Sequence, residues 1–342
     1  GLPRVLEFWN SGPFWSTFFR ALGFQVRFSK PSSRELYESG IALVPSDTIC
    51  FPAKLAHGHM EDLISAGVDR IFMPIMNRMP PENSNLKSDH LCAVVKGYPM
   101  VLDVSNEPTE GHGIAFDKPI FHWLDERTRE RQLADFMAAT FGTPPRHVQA
   151  ALAQADRVQR SFSASLREEA SDILEELSGS EFAVVLAGRP YHSDPLVSHS
   201  VSRFFTSQGI PVIPLDALPG LDEVDHSGIR AEGTINFHVR MLSGAVKVAQ
   251  HPNLELVQIV SFGCGHDAVL TDEVIRIMRA ASGREPLTLK LDESDADGPI
   301  QIRVRSFIET VRSRREKGEN FEPKQLTDPY EVKFEKQHRK EK

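Results

Sequence analysis

The sequence predicts an α/β protein built as two Rossmann-like lobes, each a doubly wound parallel sheet, joined by a long helix. Three observations carry this. Short apolar runs alternate with stretches of helical spacing over residues 1–145, and again over 180–315. The run Phe182 to Ala187 is almost wholly apolar, as a central parallel strand buried on both faces must be. Between the halves, Val148, Leu152, Ala155, Val158, Phe162, Leu166, Ala170, Ile173 and Leu177 recur every three or four residues, the period of a helix with one apolar face. The division expected is therefore 1–145 for the first lobe, 146–179 for the connecting helix, 180–315 for the second lobe and 316–342 for a tail.

The elements follow in order. Arg4 to Phe8 reads as a strand. Gly12-Pro13 then places a proline in the first turn of a helix whose face is Phe14, Trp15, Phe18, Phe19 and Leu22, ended by Gly23. Gln25 to Ser29 and Ile41 to Val44 read as strands, Pro52 to Ala66 as a helix, and Arg70 to Met73 as a strand. Residues 77–92 read as a loop. Pro144-Pro145 stops whatever precedes it and opens the long helix, which Gly179 closes. In the second half, Pro211 to Pro214, Leu256 to Phe262 and Leu287 to Leu291 read as strands. The segments through Val197 to Phe204, Gly233 to Gln250 and Asp267 to Ala281 read as helices. The last helix carries Ile300, Val304, Phe307, Ile308 and Val311, and the Lys/Glu-rich end from Lys333 is expected to fray. No sequence repeat accompanies the repeated architecture.

Composition narrows the function. The 342 residues include 25% charged and 40% hydrophobic side chains, with net charge −8, which fits a folded globular protein. The acidic balance gives no electrostatic reason to expect nucleic acid. No apolar run reaches the ~18 residues of a membrane span, and no basic leader precedes an apolar stretch. Three cysteines are too few for a disulfide scaffold, and a reducing cytoplasm is the natural compartment. The start at Gly1, without Met, reads as a domain cut from a longer polypeptide.

Ligands of open α/β sheets bind beyond the carboxyl ends of the strands. Four segments fall there: Ser46 to Lys54, the end of the loop at Cys92, Gly188 to His192, and Phe262 to Asp267. All three cysteines are in or beside them. Cys264 lies between two glycines, which let the backbone approach a bulky ligand, and both Cys50 and Cys264 precede helices, whose N-terminal amides favour a thiolate. Three thiolates from two lobes would hold a metal or an iron–sulfur cluster. Their spacing, 42 and 172 residues, matches no compact cluster or zinc motif, so three ordinary small buried residues remain the alternative on spacing alone.

Cys-Phe-Pro-Ala-Lys-Leu-Ala-His-Gly-His (50–59), Leu-Ala-Gly-Arg-Pro-Tyr-His-Ser-Asp-Pro (186–195) and Ser-Phe-Gly-Cys-Gly-His-Asp-Ala-Val-Leu-Thr-Asp-Glu-Val (261–274) resemble the superfamily of 2-hydroxyacyl-CoA dehydratases, benzoyl-CoA reductases and double-cubane cluster proteins. The likeness is to the dehydratase-like part of proteins fused to an acyl-CoA dehydratase activase, and it covers most of residues 1–310. It implies a 4Fe–4S cluster held between the lobes by Cys50, Cys92 and Cys264, which an aerobically handled protein could lack. At Cys92 relatives tend to show Cys-Pro where this chain has Cys92-Ala93, although Gly97-Tyr98-Pro99 follows as in them. A double cubane needs more cysteines than the chain has.

The resemblance further implies an oxygen-sensitive, anaerobic system. An ATP-hydrolysing activase, in the same polypeptide, would supply a low-potential electron for an acyl-CoA or another poor acceptor. No Walker A or G-x-G-x-x-G sequence is present to bind a nucleotide within this chain. Arg189, Tyr191 and His192 are candidate contacts to substrate or CoA, an Arg there being suited to a carboxylate or phosphate; an ion pair is the plainer role for Arg189. His57 and His59, two apart on a helix, are expected to point in different directions, so that at best one faces a cluster, a capping or surface role being the other reading. His266 and Asp267 are expected to cap a helix, and the Arg312 to Lys317 run to form a solvated helix end. Two other functions stay open: a cluster-free regulatory or scaffold domain of an activase fusion, and a non-redox CoA-type ligand-binding domain.

Overall fold

The computed structural model describes residues 1–83, 86, 88–179, 181–230, 235–294, 297–318 and 322–327. Helix α1 (Phe8–Ala21) opens the chain, followed by α2 (Arg34–Gly40) and α3 (Phe51–Ser65). Strands β1 (Arg70–Phe72) and β2 (Ile75–Arg78), helix α4 (Ala93–Ser105), strands β3 (Ala115–Asp117) and β4 (Ile120–His122) and helix α5 (Glu126–Phe141) complete the first half. Helix α6 (Pro145–Glu176) leads to β5 (Ala183–Ala187), α7 (Val201–Thr206), β6 (Val212–Pro214), α8 (Asn236–Gln250), β7 (Leu254–Ser261), α9 (Gly265–Ser282), β8 (Leu287–Leu291) and α10 (Asp297–Glu316).

The second half forms the expected parallel sheet, in the order β6-β5-β7-β8. Side chains alternate across a strand, and the burial obeys this. Ala183, Val185, Ala187 and Leu256 face one core with α8 and α9. Val184, Val257 and Ile259 face another with α7 and α10. All eight residues of β7 are buried, as befits a central strand.

The first half departs from a doubly wound sheet. Its strands pair as β1 with β3 and β2 with β4, two separate two-stranded parallel pairs. Three expected strands are absent. Residues 4–7 form a turn and α1 begins at Phe8, so Pro13 lies inside the helix and not in its first turn. Only Leu2 pairs with Phe28, as a single bridge, which reduces the 25–29 strand to one residue. Ile41–Leu43 is a turn of 3₁₀ helix that continues α2. Short apolar runs do not reveal their period, and here tertiary packing decided against extension. The core is aromatic: Trp15 packs within 6.2 Å of Phe18, Phe19, Phe72, Phe121 and Trp123.

Helix α6 has 32 residues and serves both halves. Val148, Ala151, Leu152 and Ala155 enter the first core, whereas Ala170, Leu166, Ile173 and Leu174 pack on the second. Midway, Val158 and Phe162 are 40% and 47% exposed. The expected tail falls largely outside the described residues, as does the start of the helix expected from Gly233. The 77–92 segment is tied down in part: His90 bridges to both Arg78 and Ile235.

Candidate functional site around three cysteines

The three cysteines share one local structure. Cys50 is the N-cap of α3, Cys92 of α4 and Cys264 of α9. None caps with its side chain, so each sulfur is left beside a helix N-terminus where the peptide dipoles favour negative charge. All three are free thiols. Cys92 lies in the first core and Cys50 packs against it. The turn before α9 reaches the same place: a Cβ on Gly263, which has φ 79°, would stand 3.0 Å from the carbonyl oxygen of Thr48. Glycine there permits both the left-handed backbone and the approach to the Cys50 loop.

The electrostatics tie the sulfurs together. Burial pushes the Cys50 thiol up to about 11; the amide of Ala53 opposes this, and the charges of Cys92 and Cys264 raise it further. Burial also raises Cys264, and Arg189 pulls it back. Among the described residues, however, no group of three or more His, Cys, Asp or Glu side chains is arranged to hold a metal ion.

Arg189 is the charged member of the site. Its guanidinium is buried, and Nη2 donates to Asp267 Oδ1 at 2.5 Å, to Cys264 Sγ at 3.6 Å and toward His238 Nε2 at 3.2 Å. Burial works against that charge, but Tyr191 and Asp267 outweigh it, so the arginine stays ionised. Burial keeps Tyr191 a neutral phenol, leaving Asp267 as the partner that carries charge at neutral pH. Burial alone would raise the Asp267 carboxyl; Arg189 and the Ser261 amide bring it below the ordinary value. Nε and Nη1 of Arg189 have no hydrogen-bond partner among the described residues.

His192 fixes the turn that carries Arg189. Its Nδ1 accepts from the backbone N–H of Arg189 at 3.0 Å, so Nε2 bears the proton and donates to Ser261 Oγ at 3.0 Å. Burial, then the nearby Arg189, pushes it down to about 3, so the ring is neutral. A Cβ on Gly188 would meet the His192 ring at 2.6 Å, which explains glycine at that position. Arg189, Tyr191 and His192 are thus buried, and Arg189 and His192 form part of the wall of a small cavity. The cavity beside Arg189 and His192 holds about 210 Å³, less than the ~300 Å³ at which small-molecule sites begin.

Several side chains behave differently from expectation. His57 and His59 are neither caps nor surface groups but fully buried. Asn106 donates through Nδ2 to the His57 carbonyl and to Glu61, so its Oδ1 faces His57 Nδ1 at 2.8 Å as acceptor. That leaves His57 Nε2 to accept from the Tyr98 hydroxyl at 3.0 Å. His59 is held by Ser29 and Ser32, and Ser32 also donates to Asp194. Asp267 is not the cap of α9, which is Cys264; from the first turn its carboxylate holds Arg189 and the Ser261 amide instead. Arg314 and Arg315 are not a merely solvated helix end, because both bind the buried Glu255. Sequence reading missed His238, for which no local signal exists, and gave Tyr98 no role, because α4, which carries it, was overlooked.

No curated protein matches the chain. The family described as CoA enzyme activase uncharacterised domain (DUF2229) matches residues 1–218, a segment that holds Cys50, Cys92 and the Arg189 turn but ends before Cys264. That match takes in well over half of the 342 residues, and the chain belongs to this family.

Proposed function

We propose that the chain is an iron–sulfur, dehydratase-like domain of a CoA-enzyme activase system, with Cys50, Cys92 and Cys264 as the ligands of a 4Fe–4S cluster. The observation that carries the reading is the placement of all three cysteines as N-caps of three helices, with Cys50 in electrostatic reach of both Cys92 and Cys264. The donor set suits the group, because iron–sulfur clusters take thiolates and three of them leave one iron open. Two nitrogens of buried Arg189, Nε and Nη1, with no partner among the described residues also suit an anionic guest, since such donors cost free energy when nothing accepts from them. The fit is one of donor type and charge, not of a preformed cage.

A bound cluster supplies low-potential one-electron chemistry. The chain's own residues do the rest. The three helix ends and Arg189 hold negative charge, and the His57–Tyr98 pair fixes the wall on the Cys50 side. The cavity beside Arg189 takes at most a small group, so a CoA body would lie outside it. With no nucleotide motif in the sequence, the electron donor is an activase domain, in our reading part of the same polypeptide, working in a reducing cytoplasm on an acyl-CoA or a comparably poor acceptor.

Anaerobic reconstitution with iron and sulfide tests this. The expected result is about four irons per chain, with visible absorption that dithionite bleaches, and loss of most of that iron in Cys264→Ala. Equal iron uptake by the variant overturns the assignment. No uptake by the unaltered protein would instead favour a cluster-free domain that regulates or scaffolds the activase.

A further inference from the structure

We propose that Arg189 is a positioning residue of the sulfur centre, whose buried charge, fixed by Asp267 and His192, stabilises negative charge on Cys264 and so sets how readily the site accepts an electron. The inference rests on the cluster reading for its redox consequence, but its geometry stands without it.

Three features make Arg189 a fixed source of potential. It is 3% exposed, so solvent screens it little. Its backbone is pinned, because the Arg189 amide, His192, Ser261 and Asp267 form a closed ring: Arg189 N to His192, His192 to Ser261 Oγ, Ser261 N to Asp267 Oδ2, and Asp267 Oδ1 back to Arg189 Nη2. And Nη2 donates directly to Cys264 Sγ. A donor on a ligand sulfur, and positive charge near it, favour the more negative oxidation state.

Asp267 gives the arrangement a sign that can be read. It neutralises part of the Arg189 charge by accepting from the same Nη2 that reaches Cys264, and it is itself 1% exposed. Removing the cation must make an added electron less welcome. Removing the anion must make it more welcome. A purely structural ion pair would lose stability whichever partner was removed, with no reason for the two changes to act in opposite directions on the sulfur.

The experiment measures the reduction potential of the reconstituted protein by dithionite titration, one electron entering per cluster, in wild type, Arg189→Gln, Arg189→Lys and Asp267→Asn. Arg189→Gln is expected to lower the reduced-to-oxidised ratio at fixed potential at least tenfold, a shift of about 59 mV to the negative side for one electron. Asp267→Asn is expected to shift it to the positive side, and Arg189→Lys, which keeps the charge but not the fork, to lie between wild type and Arg189→Gln. If Arg189→Gln binds no iron, the Lys and Asn variants decide. Potentials that do not move, or that move the same way in Arg189→Lys and Asp267→Asn, overturn the proposal.

Should the wild-type protein take up no iron, the cluster reading fails, and the same signs are read on the iron-free chain. Alkylation of Cys264 by iodoacetamide at pH 7, followed by mass spectrometry, should slow severalfold in Arg189→Gln and quicken in Asp267→Asn. Unchanged rates would overturn the role of Arg189 independently of any cluster.

Discussion

Glu7 stands just before α1 with its carboxyl buried, hydrogen-bonded by Ser11 and by the Asn10 amide. Burial raises it from 4.5 to about 7, since neither partner brings a positive charge. The raised folded value means that the native state binds the proton more tightly than the unfolded chain. The stability is then complete below pH ~4.5 and is lost as pH rises from there through about 7, a change of roughly 3 kcal/mol. Glu7→Gln should flatten that slope and leave the protein more stable than wild type at pH 8; urea melts at pH 5 and pH 8 measure it, and equal slopes would refute it. Such residues are hard to read from sequence, where Glu7 looks like an ordinary charge beside an apolar run. The positions of Cys50, Cys264 and Arg189 could be read because each follows a strand or a loop, with glycine or proline beside Cys264 and Arg189 and a proline two residues after Cys50. His59 was not, because the serines that bury it come from residues 29 and 32, in a segment whose strand signal was misleading.

Helices α2 and α3 meet at glycine. A Cβ on Gly58 would lie 2.0 Å from the Leu36 carbonyl oxygen, and one on Gly40 2.2 Å from the Gly58 amide. Backbone cannot yield as a side chain can, so Gly58→Ala should cost ~2–3 kcal/mol or more. Gly97, exposed in α4 with nothing within 4 Å, is the control: Gly97→Ala should gain about 0.5–1 kcal/mol of helix propensity. Denaturant midpoints for the pair test whether close approach or helix propensity governs each site. Helix α10 is held by charge as well as by its apolar face. Glu255, 1% exposed on β7, is bound by Arg284, Arg314 and Arg315. Glu255→Ala removes the anion shared by buried Arg284 and half-buried Arg314 and Arg315 and should cost about 3–5 kcal/mol, whereas Arg314→Ala, with two arginines remaining, should cost much less. Long periodic elements such as α6, and the all-apolar β5, could be placed from sequence to within a few residues. Helix α4 could not, because Pro99 sits inside it and reads as a break.

The two halves meet through polar contacts. Lys54 pairs with Glu293, Arg240 with Glu82 and Asn10, Ser32 with Asp194, and Asn236 with the Pro80 carbonyl. The first core also takes in Tyr191 and Phe237 from the second half of the chain. Sequence division at 145 and 180 could not show this, because contacts between distant segments leave no local pattern. The family match ends at Leu218, after β6 but before β7. A chain stopped there would keep β5 and β6 and lose the strand that pairs along the whole of β5. Its bare apolar edge should drive aggregation, so residues 1–218 expressed alone are expected in the insoluble fraction or as large particles in size-exclusion chromatography; a monodisperse, cooperatively melting fragment would contradict this. The reach of that aromatic core also has a consequence for synthesis. A nascent chain emerges from its N-terminus, and α6, about 48 Å of helix, is complete well before Phe237 is translated. Until then the first core lacks part of its cover, and the ribosome must carry a half-closed, oily surface for the whole of that interval, which makes this segment one that a chaperone would serve.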